Sequence, residues 1–198
     1  MTPVIVNTAA ACITMLLMFG GIKAGVAKKN KPALIVSCVS LFLPAGVFGI
    51  HAMFMWCVLI LQAYTDAAEH SVFGIVTLAA FAAEVIYLIA TRSSAVQPAD
   101  TLWFPVIYIL ALGIMRIFAL GDIEMMFPVM LYAYNTGHNP LEYMVHYVVF
   151  SMVFLVLYTG VINPVRAARH KETSWYEAAV PGMAMAYFII EGMAAVGV

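Results

Sequence analysis

Three side chains carry a formal charge inside long apolar runs: Glu84 in "FAAEVIYLIA", Arg116 in "ALGIMRIFAL" and Glu191 in "AYFIIEGMAA". An unpaired charge near the centre of a bilayer costs at least roughly 2.5–3.5 kcal/mol, so such residues turn toward protein or water and find partners. They are the first candidates for handling a proton or an ion. Arg116 lies 14 residues beyond Leu102, and Glu191 lies 14 residues beyond Glu177. Both would stand ~21 Å along their helices at ~1.5 Å per residue. Equal heights and opposite signs point to an Arg116–Glu191 ion pair. Glu84 has no basic residue at its depth. Its carboxyl is therefore expected to be protonated, hydrogen-bonded or facing water.

The histidines suggest a second kind of chemistry. Imidazole with carboxylate is a ligand set for zinc or copper. Asp66 and His70 are four residues apart and share a face if helical. With His138 and His146, and with Glu69 and Glu142 nearby in sequence, they form the candidate metal set. His51 and His146 are the candidate axial ligands for a b-type haem, which needs two ligands at matched height on facing helices. His170 belongs to a basic turn and is read as solvated. Methionine occurs 14 times, with runs "HAMFMW", "DIEMMFPVM" and "PGMAMAYFIIEGM". Thioether plus imidazole suits copper(I), although methionine is also ordinary flexible core filler. Cys12, Cys38 and Cys57 have no metal or disulfide spacing and read as buried free thiols.

The elements that must hold these groups follow from composition. Of 198 residues, 65% are hydrophobic and 10% charged, and the formal net charge is −1. A soluble domain carries roughly 25% charged residues. That excludes a soluble domain, a disordered chain and a nucleic-acid binder. The fold class is an all-α integral membrane protein, one polytopic transmembrane domain over 1–198. Six transmembrane helices are expected: Val4–Ile22, Pro32–Thr65, Ser71–Thr91, Leu102–Leu120, Tyr143–Ile162 and Tyr176–Val198. The second stretch is long for one crossing, and Pro44, Gly46 and Gly49 suggest a bent or partly interfacial end. Gly121–Glu142, between the fourth and fifth helices, reads as an outer loop or a re-entrant segment.

Eight of the nine basic residues fall at Lys23–Lys31, Arg92 and Arg166–Lys171. In a six-span arrangement these sites share one side, which the positive-inside rule makes cytoplasmic. Both termini are then extracytoplasmic, and Asp66, Glu69, His70, Asp122, Glu124, His138 and Glu142 lie outside. The partners expected are the lipid bilayer of the cell membrane and either further copies of the chain or other membrane subunits. Two functions fit. One is transport of an ion, proton or small solute, from the intramembrane charges and the broken second helix. The other is a subunit of a membrane oxidoreductase or of a copper- or metal-binding complex, from the histidine, carboxylate and methionine groups.

Overall fold

In an apolar solvent the backbone must satisfy its own hydrogen bonds, and helices do so within one segment. Helices are the only regular elements among the described residues of this computed structural model, which are 3–69, 72–91, 99–168 and 179–197. His70, Arg92 and His170 lie outside them. The order is α1 (Pro3–Lys23), α2 (Lys31–Phe42), α3 (Ile50–Glu69), α4 (Gly74–Thr91), α5 (Trp103–Ile114), α6 (Leu120–Asn135), α7 (Pro140–Ala168) and α8 (Val180–Val196). A short 3-10 turn, Ala99–Leu102, leads into α5. Among the described residues, four helical stretches are long and apolar enough to cross a membrane: Pro3–Lys23, Ile50–Ala68, Gly74–Thr91 and Pro140–Val161. These four stand where six crossings were expected; α2, α5 and α8 are apolar but shorter. Two compact units result, Met1–Ser71 with Val148–Val198, and Val72–Tyr147.

In the first unit, Asn30 caps α2. Its side chain accepts from Ala33 N at 3.3 Å, with Pro32 in the first turn, where a missing N–H does no harm. The stretch Pro32–Thr65 is not one bent crossing but two helices. Pro44 has no N–H to continue α2, and its carbonyl instead accepts from Val47 N and Phe48 N, both at 2.9 Å. Ending a helix strands carbonyls. Here Ser40 O accepts from Leu43 N (3.2 Å) and Trp56 Nε1 (3.1 Å), and Phe42 O accepts from Ala45 N (3.3 Å). Asn7 of α1 serves the turn beyond, its Nδ2 donating to Ala45 O (3.1 Å) and Phe48 O (2.7 Å). The chain then folds back. Tyr64 Oη donates to Lys28 O at 2.8 Å, and Asn30 Nδ2 to Ala67 O at 3.3 Å. The end of α3 therefore lies beside the start of α2. This corrects the expected sidedness of Asp66: it shares an end with the Lys23–Lys31 turn, because the second apolar stretch returns to where it began.

The α3 helix is the centre of this unit. Of its apolar stretch 72% is buried, against 22% for α1. Phe48 packs against Trp56, Tyr187 and Phe188, with ring centroids 5.8–6.3 Å apart. Tyr187 Oη donates to Ala52 O at 3.0 Å, so α8 runs antiparallel to α3. Gly182 lets α8 approach α7, since a Cβ there would sit 3.1 Å from Ser151 O.

In the second unit, α4 and α6 run parallel. Gly121 lies against Val72, and Thr77 Oγ1 donates to Met125 Sδ at 3.1 Å. Gly121–Glu142, expected to be an outer loop or a re-entrant segment, is helical up to Asn135 and then makes a tight turn. The polar residues that made it read as a loop act locally: Asp122 Oδ2 accepts from Ala119 N at 3.2 Å and closes the first turn. Pro128 is tolerated inside α6, among a nearly continuous set of buried residues. Both units share one order: a long first helix, a 12-residue helix, a turn, and a buried helix parallel to the first. Leu-x-Ala-Tyr occurs in each buried helix, at Leu61–Tyr64 and Leu131–Tyr134.

Candidate functional site

The face that α4 turns inward carries Thr77, Ala80 and Glu84. Their spacing of three and four residues is one helical stripe. Glu84 follows Gly74 by ten residues and precedes Thr91 by seven, so it sits near the middle of a helix of 18 residues, or about 27 Å. It is 1% exposed. A carboxyl so placed needs a polar partner, and Asn135, the last residue of α6, provides one. Its Nδ2 donates to Glu84 Oε2 at 2.7 Å and to Glu84 O at 3.0 Å.

The position of Asn135 is fixed by how α6 stops. Gly137 takes the left-handed conformation (φ +85°), which glycine adopts without a Cβ penalty. His138 N and Thr136 N close back onto Ala133 O (3.0 Å) and Tyr132 O (2.9 Å). Asn139 then starts α7, its Oδ1 accepting from Leu141 N and Glu142 N at 3.1 and 3.3 Å. The carboxamide is thereby aimed at α4 from a rigid corner. Its Oδ1 is buried with no hydrogen-bond donor among the described residues. The result is a mid-helix carboxyl gripped by an amide donor, beside an acceptor with spare capacity. Such a pair can receive a proton, a water or a small cation without rearranging the backbone.

The other sequence candidates are distributed elsewhere. Asp66 works as a helix cap: its Oδ2 accepts from Val180 N at 2.9 Å, placing negative charge at the positive end of α8. Glu191 is buried on α8 in the first unit. Arg116 belongs to the second unit and is not inside a helix. Because α5 ends at Ile114, Arg116 is an exposed turn residue with φ +54°. His51 is half-buried on α3 and His146 is exposed on α7, in different units. The His138 ring lies 5.4 Å from that of Tyr143. Among the described residues no three His, Cys, Asp or Glu side chains gather in a way that would hold a metal ion. Of the expected metal set, Asp66 is engaged as a cap and His70 lies outside the described residues.

Sequence reasoning missed Asn135. It sits in "NTGHNP", which reads as a turn, so the hydrogen-bonding partner expected for Glu84 could not be named. The usable signal was an acid in an apolar helix together with a carboxamide ending another apolar segment. No known family, no curated protein and no solved structure matches the chain.

Proposed function

We propose that this chain is a small multi-pass membrane protein that moves a proton, ion or small solute, with Glu84 as the group that carries or gates the charge. The observation behind this reading is the Glu84–Asn135 pair itself. A carboxyl at mid-helix, 1% exposed, is costly to place in an apolar segment, and the amide beside it keeps a free acceptor. A lipid surround is supported by the large apolar side chains that α1, α4 and α7 expose, among them Leu16, Ile86, Ile89 and Val156. With the Lys23–Lys31 turn taken as cytoplasmic, the start of α1 and the end of α8 face outside. The partners in this reading are lipid and further copies of the chain or other membrane subunits.

The test is flux in liposomes. Purified protein is reconstituted with a trapped pH dye or a potassium-sensitive dye, and a gradient is imposed. The wild-type chain is expected to dissipate one of these gradients, and Glu84→Gln to abolish that flux while remaining folded. Flux in Glu84→Gln equal to wild type would overturn the assignment of Glu84.

A further inference from the structure

A cleft of about 400 Å³ opens on the second unit between α4 and α6, lined by Gly74, Thr77, Leu78, Phe81, Glu124 and Phe127. The four α4 residues recur at spacings of three, four and seven from its first turn, and Glu124 and Phe127 are one turn apart on α6. Because the two helices start side by side, Glu124 lies near that shared end. Phe127 lies about 5 Å further along, and Phe81 about 10 Å beyond Gly74. The cleft is thus acidic at its mouth and aromatic below. Gly74 leaves the mouth open, with nothing within 4 Å of where its Cβ would be. The Thr77 hydroxyl already donates to Met125 Sδ. Glu124 is exposed, and its carboxylate makes no hydrogen bond or ion pair among the described residues.

In a bilayer, the end of a crossing-length helix meets headgroups and the turns below it meet acyl chains. A carboxylate only accepts hydrogen bonds, and a primary ammonium offers three donors. We infer that this cleft holds one phospholipid with a primary ammonium headgroup, of the phosphatidylethanolamine class. The ammonium donates to Glu124 and an acyl chain lies along Leu78, Phe81 and Phe127. A trimethylammonium headgroup can contact the phenyl faces but has no N–H for the carboxylate. An anionic headgroup is repelled by it. The volume falls within the range of small-molecule pockets, roughly 300–1,000 Å³.

The test compares lipids retained through purification. Wild-type protein is exchanged into bilayer discs of equimolar phosphatidylethanolamine, phosphatidylcholine and phosphatidylglycerol, then stripped in mild detergent. The lipid still bound is counted by native mass spectrometry. One phosphatidylethanolamine per chain is expected, preferred about tenfold over phosphatidylcholine, as a charge-assisted hydrogen bond supports. Glu124→Gln, at an exposed position where folding should be unaffected, should reduce that preference to near unity. Phe81→Ala should weaken retention of both lipids alike. Equal retention of the two by wild type, or an unchanged preference in Glu124→Gln, would overturn the inference.

Discussion

Replacing Asn135 with leucine deletes two donors aimed at residue 84 and leaves a buried carboxyl behind. The 2.7 Å bond to Glu84 Oε2 is worth about 1.5–3 kcal/mol to a charged carboxylate and about 0.5–1.5 kcal/mol to a neutral acid, the latter range applying also to the 3.0 Å bond to Glu84 O. Polar pairs measured inside membranes are weaker, averaging ~0.6 kcal/mol with a maximum of ~1.7, because the unfolded chain also finds partners there. Glu84 is only 1% exposed, so its carboxyl cannot replace the lost donor with bulk water. That favours the upper figures, and Asn135→Leu should lose about 3 kcal/mol. Glu84→Gln keeps an oxygen that can accept from Nδ2 and should lose about 1 kcal/mol or less. In the double variant Glu84→Leu/Asn135→Leu the carboxyl and the amide that bond each other are both gone, so its loss should fall short of the sum of the single leucine variants by about 2 kcal/mol. The assay is reversible unfolding in mixed micelles, titrated with SDS and followed by far-UV circular dichroism. Additivity within about 0.5 kcal/mol, or an Asn135→Leu chain as stable as its parent, would refute the reasoning.

Three other outcomes follow from the packing. With Cys12, Cys38 and Cys57 replaced by alanine, single cysteines at Lys29 and Ala68 should be labelled from the same side of sealed vesicles, because α3 returns to the start of α2; opposite labelling would refute the hairpin. Gly182→Ala pushes a Cβ to 3.1 Å from Ser151 O and should cost about 1–3 kcal/mol. Gly192→Ala, with nothing within 4 Å, should be neutral or stabilise by up to about 1 kcal/mol, so thermal melts in detergent should separate the two. Asn7→Leu removes both donors that hold the α2–α3 turn. It should cost about 2 kcal/mol and raise proteolysis at 43–49; unchanged cleavage there would show that the turn is held by other contacts.

Hydropathy makes α1, α4 and α7 legible, because each is a long apolar run flanked by polar residues and exposes most of its apolar surface. It cannot distinguish a bent helix from a hairpin in Pro32–Thr65. The deciding donor, Asn7, lies some 40 residues away in sequence and looks like an ordinary polar residue in a first span. The α6 helix was hidden for a related reason. Its Asp122, Asn135 and Pro128 lower the apparent hydrophobicity, yet two of them serve contacts inside the protein and the third sits in a buried interior. Glu84 was legible because an acid in an apolar run is costly wherever it points. Its partner was not, because the neutral amide that satisfies it carries no charge to search for. Depth counting placed Arg116 inside a helix, but α5 stops two residues earlier, and no composition rule marks that stop.

The brevity of α2 also bears on how the chain is made. Twelve residues reach about 18 Å, well short of a hydrocarbon layer of roughly 30 Å. As it leaves the ribosome, this segment is too short to span a bilayer alone, and the turn at its far end takes two of its hydrogen bonds from Asn7 on the already emerged α1. In the membrane reading proposed above, the hairpin is complete only at Glu69, the end of α3, which is 27 residues after Phe42. At a synthesis rate of about 5–20 residues per second the delay is roughly 1–5 s. During that interval Ser40 O lacks the Trp56 Nε1 donor that the finished hairpin gives it. A slow codon run within residues 43–69 would lengthen that interval.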